Sequence, residues 1–222
     1  MSVPNLCVSL YDKTGAMMKP WVEAGRIALI VDIQHPPGLT TEDGRLWRLG
    51  ADLRGGFELP SGLPAYDKVE FSAAFPPCDH LAVSGSRWFK GKGLRALSLS
   101  VDLFATAAEA CERLGAPYQI ENPVSTISTY WRKPDHIFHP WYFSGMERGD
   151  NYTKTTCLWV GHDFVMPERF EDLFLDEPDD RIHKMPPGPE RANKRSATPM
   201  GYSRAVFAVN RIEARASADL FA

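Results

Sequence analysis

Two short apolar runs decide what this chain can fold into. LCVSLY at 6–11 and IALIVDI at 27–33 show no alternation of polar and apolar residues, so neither suits a sheet with one wet face. Strands hidden on both faces belong to a parallel sheet covered by helices, and residues 17–24, closed by Gly25, read as the connecting helix. VEFSAAF at 69–75, 116–120 and TTCLWV at 155–160 read as further strands. The clearest helix is LSVDLFATAAEACERL at 99–114, where Leu99, Leu103, Phe104, Ala107, Cys111 and Leu114 recur at helical spacing and Gly115 closes the end. The expected fold is therefore α/β, with a mostly parallel sheet and helices on both faces. Residues 35–64 read as loops interrupted only at 51–53. Residues 166–199 run acidic, then Pro-rich, then basic and read as an excursion, and 200–214 reads as a helix returning to the sheet.

A length of 222 residues suits one domain, and the net charge of −3 supplies no overall basic field, so a polyanionic partner must be met by a local patch. The four cysteines, Cys7, Cys78, Cys111 and Cys157, show no metal-like pair spacing. His136 and His139 in HIFH do not complete a four-ligand set, and no metal site is expected. No apolar stretch is long enough for a bilayer, and Met1–Leu10 lacks the form of a secretory signal. The reading is a cytoplasmic chain with reduced thiols, each cysteine serving as core filler or nucleophile.

Ligands of a doubly wound sheet gather beyond the carboxyl ends of its strands. The residues there are Asp12, Gly15, Asp32, Asp52, Cys78 and Glu121-Asn122. Asp32 reads either as an acid for ribose hydroxyls or as a turn cap. Gly15 allows close backbone approach. Cys78 follows Pro76-Pro77, which stiffen the chain, and reads either as a positioned nucleophile or as an idle thiol at a strand end. A thiol and a carboxyl on adjacent strand ends suit one reaction in particular. The thiolate adds to C6 of a pyrimidine while the acid protonates N3, which makes C5 nucleophilic toward a methyl group. Behind the cysteine, SGSRWFKGKGLR at 84–95 combines cations with aromatic rings and reads either as a substrate-contacting loop or as a mobile surface.

These residues, in this order, resemble the cytosine carbon-5 DNA methyltransferases that use S-adenosylmethionine. FPPC at 75–78 resembles the nucleophile motif, ENP at 121–123 the Glu-Asn motif, and SLYDKTGAM at 9–17 the first cofactor motif. KTTCLWVG at 154–161 stands where the family has an arginine-rich strand, and TPMGYSRAVF at 198–207 where a C-terminal helix returns. The resemblance implies a Rossmann-like class I methyltransferase. Its catalytic core would span 1–165, a short excursion at 166–197 would replace the target-recognition region, and a helix would return over 198–222. It implies S-adenosylmethionine bound by Tyr11, Gly15, Asp32, Asp52 and Pro76, with Cys78, Glu121 and Asn122 catalytic. Ser84, Arg87, Trp88, Arg95, Lys154 and Thr156 would meet the substrate.

The chain also departs from the family. Lys13 replaces a glycine, Ser9 an acid, Asp79 a glutamine, and Lys154 and Thr156 an arginine pair. Only 162–197 is available for target recognition, too little for a surface that reads base edges. Three substrate readings stay open: DNA read with almost no sequence preference, DNA recognised with help from a partner or second copy, or a free pyrimidine nucleotide such as dCMP. A non-catalytic accessory protein with the same fold is the other alternative. The Pro-Cys-His of thymidylate synthase, similar to PPCDH at 76–80, fits the first half of the chain poorly.

Overall fold

The computed structural model describes residues 3–188 and 191–219. The ends of the expected core (1–2) and of the returning helix (220–222), and 189–190 within the excursion, lie outside the described residues. The chain runs β1 (Leu6–Leu10), α1 (Lys19–Glu23), β2 (Ile27–Val31), β3 (Gly38–Thr41), β4 (Leu46–Gly50) and β5 (Val69–Ala74). It continues through α2 (Phe89–Leu114), β6 (Tyr118–Asn122), α3 (Ile127–Tyr130), β7 (His136–Phe138) and β8 (Thr156–Gly161), and ends in α4 (Arg181–Lys184), α5 (Arg191–Ser196), α6 (Met200–Asn210) and α7 (Ile212–Asp219).

One eight-stranded sheet has the order β3-β4-β2-β1-β5-β6-β8-β7. The strands from β4 to β6 are parallel, β3 is antiparallel to β4, and β8 runs antiparallel to both β6 and β7. Chain order moves outward from β1 to one side through β2 and to the other through β5, so the topological switch lies between β1 and β5.

The apolar runs behave as their lack of alternation requires. Every residue of β1 and β2 is buried. Because side chains alternate across a strand, Leu6, Val8 and Leu10 enter one core with Phe104, Ala107 and Cys111 of α2. Cys7, Ala28 and Ile30 enter the other with Trp21 of α1 and Tyr202, Ala205 and Val206 of α6. In the second core Trp21 stacks on Phe71 with ring centroids 4.8 Å apart, and Phe138 stacks on Tyr202 at 4.1 Å. The sheet is thus covered on both faces.

Three sequence expectations are corrected. Residues 35–64 are not all loop, because 38–50 form the β3–β4 hairpin, whose strands are only half-buried and so lack an apolar signature. The helix expected from residue 99 begins at Phe89, and 84–95 is a helical arm instead of a loop: a 3₁₀ turn over Val83–Trp88 leads into α2, which breaks at Gly93. Gly93 adopts φ 78° and ψ 176°, a conformation open essentially to glycine alone. The returning helix is two helices, α6 and α7, parted at Arg211.

Glu70 anchors that C-terminal pair. Buried in β5, it accepts from Asn5 Nδ2 (2.7 Å), Arg26 Nε (3.1 Å) and the backbone amide of Ile212 (3.0 Å). Arg26 also pairs with Glu213 at 2.5 Å.

Candidate functional site

Since β1, β2, β4, β5 and β6 are parallel, their carboxyl ends share one rim. The antiparallel β8 brings its amino end to the same rim, with Cys157 opposite Asn122, so Lys154 sits beyond the end of β6.

On the β1 side the chain turns sharply at Tyr11, whose φ of 56° is unusual for a residue with a side chain. Asp12 then organises the loop. Its Oδ1 accepts from the amides of Thr14 (2.9 Å) and Gly15 (2.7 Å), and its Oδ2 accepts from the Ser9 hydroxyl (2.7 Å). Gly15, at φ 70°, turns its open side toward Ile30 and Leu46, so its place is set by the sheet as much as by a ligand. His35 hydrogen-bonds the Asp12 carbonyl at 3.0 Å and thereby ties the loop after β2 to the loop after β1; facing a carbonyl, its Nε2 donates.

The other expected cofactor residues lie along this rim. Asp32 Oδ1 accepts from the Gln34 amide at 2.7 Å. Tyr11 is half-buried and donates to the Leu103 carbonyl on α2 at 2.9 Å. Burial, then the charges of Asp102 and Asp52, push its phenol above the ordinary range. Asp52 is held at the rim by the buried Leu53 beside it and pairs with Arg54.

The β5 and β6 ends carry the reactive set. Pro76 is buried, and its carbonyl accepts from Asn122 Nδ2 at 3.0 Å, which locks the two strand ends together. Cys78 opens a helical turn, its carbonyl accepting from the amides of Leu81 (3.0 Å) and Ala82 (2.9 Å). Its thiol is half-buried, whereas Cys7, Cys111 and Cys157 are buried. Desolvation first, then the negative charges of Asp79 and Glu121, push the Cys78 thiol up, while Lys154 pulls it down. Glu121 is 7 % exposed, and its Oε1 accepts from Lys154 Nζ at 3.1 Å.

The second oxygens of Glu121 and Asn122 decide what this rim can do. Glu121 Oε2 and Asn122 Oδ1 are buried with no partner in the protein, and so are Ser125 Oγ, Thr126 Oγ1 and His80 Nδ1 in the adjoining walls. Each such atom costs about 1–3 kcal/mol to leave unpaired, and native proteins seldom tolerate a cluster of them without a function. A ligand that presents hydrogen-bond donors to Glu121 and Asn122 recovers that cost. The sequence marked Glu121 and Asn122. Ser125, Thr126 and His80 carry no pattern that marks them in the sequence.

Of the expected substrate residues, Lys154 is brought to Glu121. Thr156 is buried as the first residue of β8 and donates to the Lys154 carbonyl at 3.3 Å. Ser84, Arg87, Trp88 and Arg95 lie on the exposed surface of the helical arm. The arm is drawn onto the loop that follows Cys78 by Lys92, whose ammonium donates to the Asp79 carbonyl.

Among the described residues no group of three His, Cys, Asp or Glu side chains could hold a metal ion, and no helix is long and apolar enough to cross a membrane. Compared with protein-family models and with curated proteins, the chain matches none.

Proposed function

We propose that this chain is a Rossmann-like class I methyltransferase that moves a methyl group from S-adenosylmethionine to carbon 5 of cytosine in DNA through a covalent Cys78 adduct. The observation that carries the reading is the pair of buried, unpartnered acceptors, Glu121 Oε2 and Asn122 Oδ1, on the strand beside a stiffly held, half-buried thiol.

The cofactor side of the rim fits a cationic ligand. Asp12 already occupies the amides of Thr14 and Gly15, so this loop cannot cradle phosphate as a dinucleotide-binding loop does. Of the acids there, Asp52 is paired with Arg54, while Asp12 and Asp32 form no ion pair among the described residues and favour a positive centre. Bound there, S-adenosylmethionine would supply an electrophilic methyl carbon on a cationic sulfur that departs as a neutral thioether.

The protein's own groups do the rest. Cys78 enters as a thiolate, its proton having gone to solvent, and its sulfur bonds to C6 as the C5–C6 π bond opens. The released electron pair is stabilised as Glu121, having first taken up a proton from solvent, delivers it to N3, and C5 would then take the methyl carbon as that carbon's bond to sulfur breaks. Loss of the C5 proton to water restores the double bond and expels the Cys78 sulfur, while N3 returns its proton to Glu121. Glu121 Oε2 meets N3 and the exocyclic amine, Asn122 fixes the ring through Oδ1, and Lys154 holds the other oxygen of Glu121. Splitting the substitution into addition and elimination avoids a direct attack by an unactivated ring carbon.

Incubation with methyl-labelled S-adenosylmethionine and either duplex DNA, single-stranded DNA or dCMP, followed by digestion and mass spectrometry, tests the reading. Label at C5 of cytosine supports it. Folded protein that transfers no label to any of the three contradicts it.

A further inference from the structure

Resting on the methyl-transfer reading, we propose that the substrate is a single-stranded polynucleotide, gripped by stacking and phosphate contacts on the surface around Cys78 and Glu121, with duplex DNA excluded.

Two exposed segments flank the reactive groups. On the β5 side stands the arm from Val83 to the Gly93 break, and on the β6 side the chain from Val124 to Trp131. They are joined directly: the Val83 amide donates to the Val124 carbonyl (2.9 Å) and the Thr126 amide to the Leu81 carbonyl (3.0 Å). Trp88 is 60 % exposed on the first segment, and Tyr130 (66 %) and Trp131 (49 %) are exposed on the second. Large rings left this open at a polar site are platforms for bases, since every base has a face to stack.

The cations on the arm have no acidic partner. Arg87, Lys90 and Arg95 are exposed and form no ion pair among the described residues, and Arg87 lies 5.1 Å from the Trp88 ring centre. Arg148 and Arg204, by contrast, pair with Asp172 and Glu147. Unmatched positive charge interleaved with open aromatic rings, on a chain of net charge −3, is the local footprint of a single-stranded backbone with its bases turned inward.

Among the described residues, the segment after β8 is tied back along the chain. Its Phe170 is strapped to the chain at both backbone groups, the amide to the Tyr142 carbonyl (2.9 Å) and the carbonyl to the Gly145 amide (2.8 Å), and the Thr153 amide bonds Asp179 (2.7 Å). Of the seven carboxylates between 166 and 180, Glu168, Asp176 and Glu177 form no ion pair among the described residues and would repel the phosphates of a second strand. A single strand also presents its cytosine unpaired, without the cost of flipping it from a duplex.

The test measures binding by fluorescence anisotropy, without cofactor, to a labelled cytosine-containing DNA single strand, the same sequence as RNA, and the same sequence as duplex DNA. Methyl transfer to each, and to dCMP, is measured in parallel. Single strands should bind at least about tenfold tighter than duplex, and Trp88→Ala should weaken them by about tenfold. Arg87→Ala and Lys90→Ala should each make the slope of log affinity against log salt shallower by about 0.7. The DNA and RNA arms then identify the sugar. Equal or tighter binding of duplex with label on its cytosine overturns the proposal and leaves methyl transfer to DNA standing; methylation of dCMP by a protein that binds no polymer overturns the proposal and keeps the methyl-transfer chemistry on a free nucleotide instead. Single-strand binding with these dependences but no transfer to any substrate supports the surface and sinks the chemistry.

Discussion

Cys78 is the residue on which the proposed chemistry turns, and its surroundings set its reactivity in a measurable way. Burial and the charges of Asp79 and Glu121 raise its thiol above the ordinary cysteine range, with Lys154 opposing them. A raised value leaves the protonated thiol dominant at neutral pH, so the rate of alkylation should climb with pH and level off only beyond the usual cysteine midpoint. Because the other three cysteines are buried, iodoacetamide should label Cys78 alone in the native protein, as peptide mapping would show. Removing the opposing cation with Lys154→Met should move the midpoint higher still; a shift to lower pH would show that Lys154 does not act on the thiol. The same substitution leaves Glu121 buried without its partner, at a cost of about 3–5 kcal/mol, and a fall in Tm should accompany the slower labelling. The placement of Cys78, Glu121 and Asn122 at neighbouring strand ends was legible in the sequence, because the apolar runs before them mark where β5 and β6 stop. Asp12 as the organiser of its loop was not legible, since only the folded chain shows its carboxylate turned back onto Ser9.

Among the elements, the arm and α6 carry the most specific expectations. A Cβ at Gly93 would meet nothing within 4 Å, so Gly93→Ala should act through the backbone alone, at about 1–3 kcal/mol for a conformation that only glycine favours. The arm should re-form as a straighter helix and pull Lys92 away from Asp79. Methyl transfer should therefore fall by more than tenfold while Tm drops by only a few degrees. Activity and Tm that both match the unsubstituted protein would refute a positioning role for the break. At the start of α6 the situation is reversed, because a Cβ at Gly201 would lie 2.4 Å from the Phe143 carbonyl oxygen. Gly201→Ala should cost about 1–3 kcal/mol through overpacking, seen as a lowered Tm in calorimetry. The central strands were readable because burial on both faces leaves an unbroken apolar run. The β3–β4 hairpin and the arm were not, because half-buried strands and a glycine-broken helix leave no periodicity to detect.

Across the whole molecule, the parallel strands collect residues distant in sequence onto one rim, with acids on the β1 side and open cations and rings beyond β5 and β6. Its integrity depends on tying the C-terminal helices back to the sheet, which Glu70 does through Arg26 and the amide of Ile212. Glu70→Ala leaves Arg26 its pair with Glu213 but removes the acceptor of the Ile212 amide, which should cost about 1–3 kcal/mol, and hydrogen exchange should then report earlier opening of α7 than of β1. Protection unchanged in α7 would show that Glu70 is not its anchor. The α/β layout and its covered faces follow from sequence alone, whereas the way 162–197 lies back along the chain does not, since that segment has no periodic pattern to place it. The most direct trial of the central claim is intact-mass analysis of the protein after incubation with S-adenosylmethionine and a single-stranded oligonucleotide carrying 5-fluorocytosine, whose fluorine blocks the final proton loss. The account predicts a denaturant-stable protein–oligonucleotide adduct that maps to Cys78 and is absent from Cys78→Ala. Methyl transfer to ordinary cytosine by Cys78→Ala at the rate of the unsubstituted protein would contradict it.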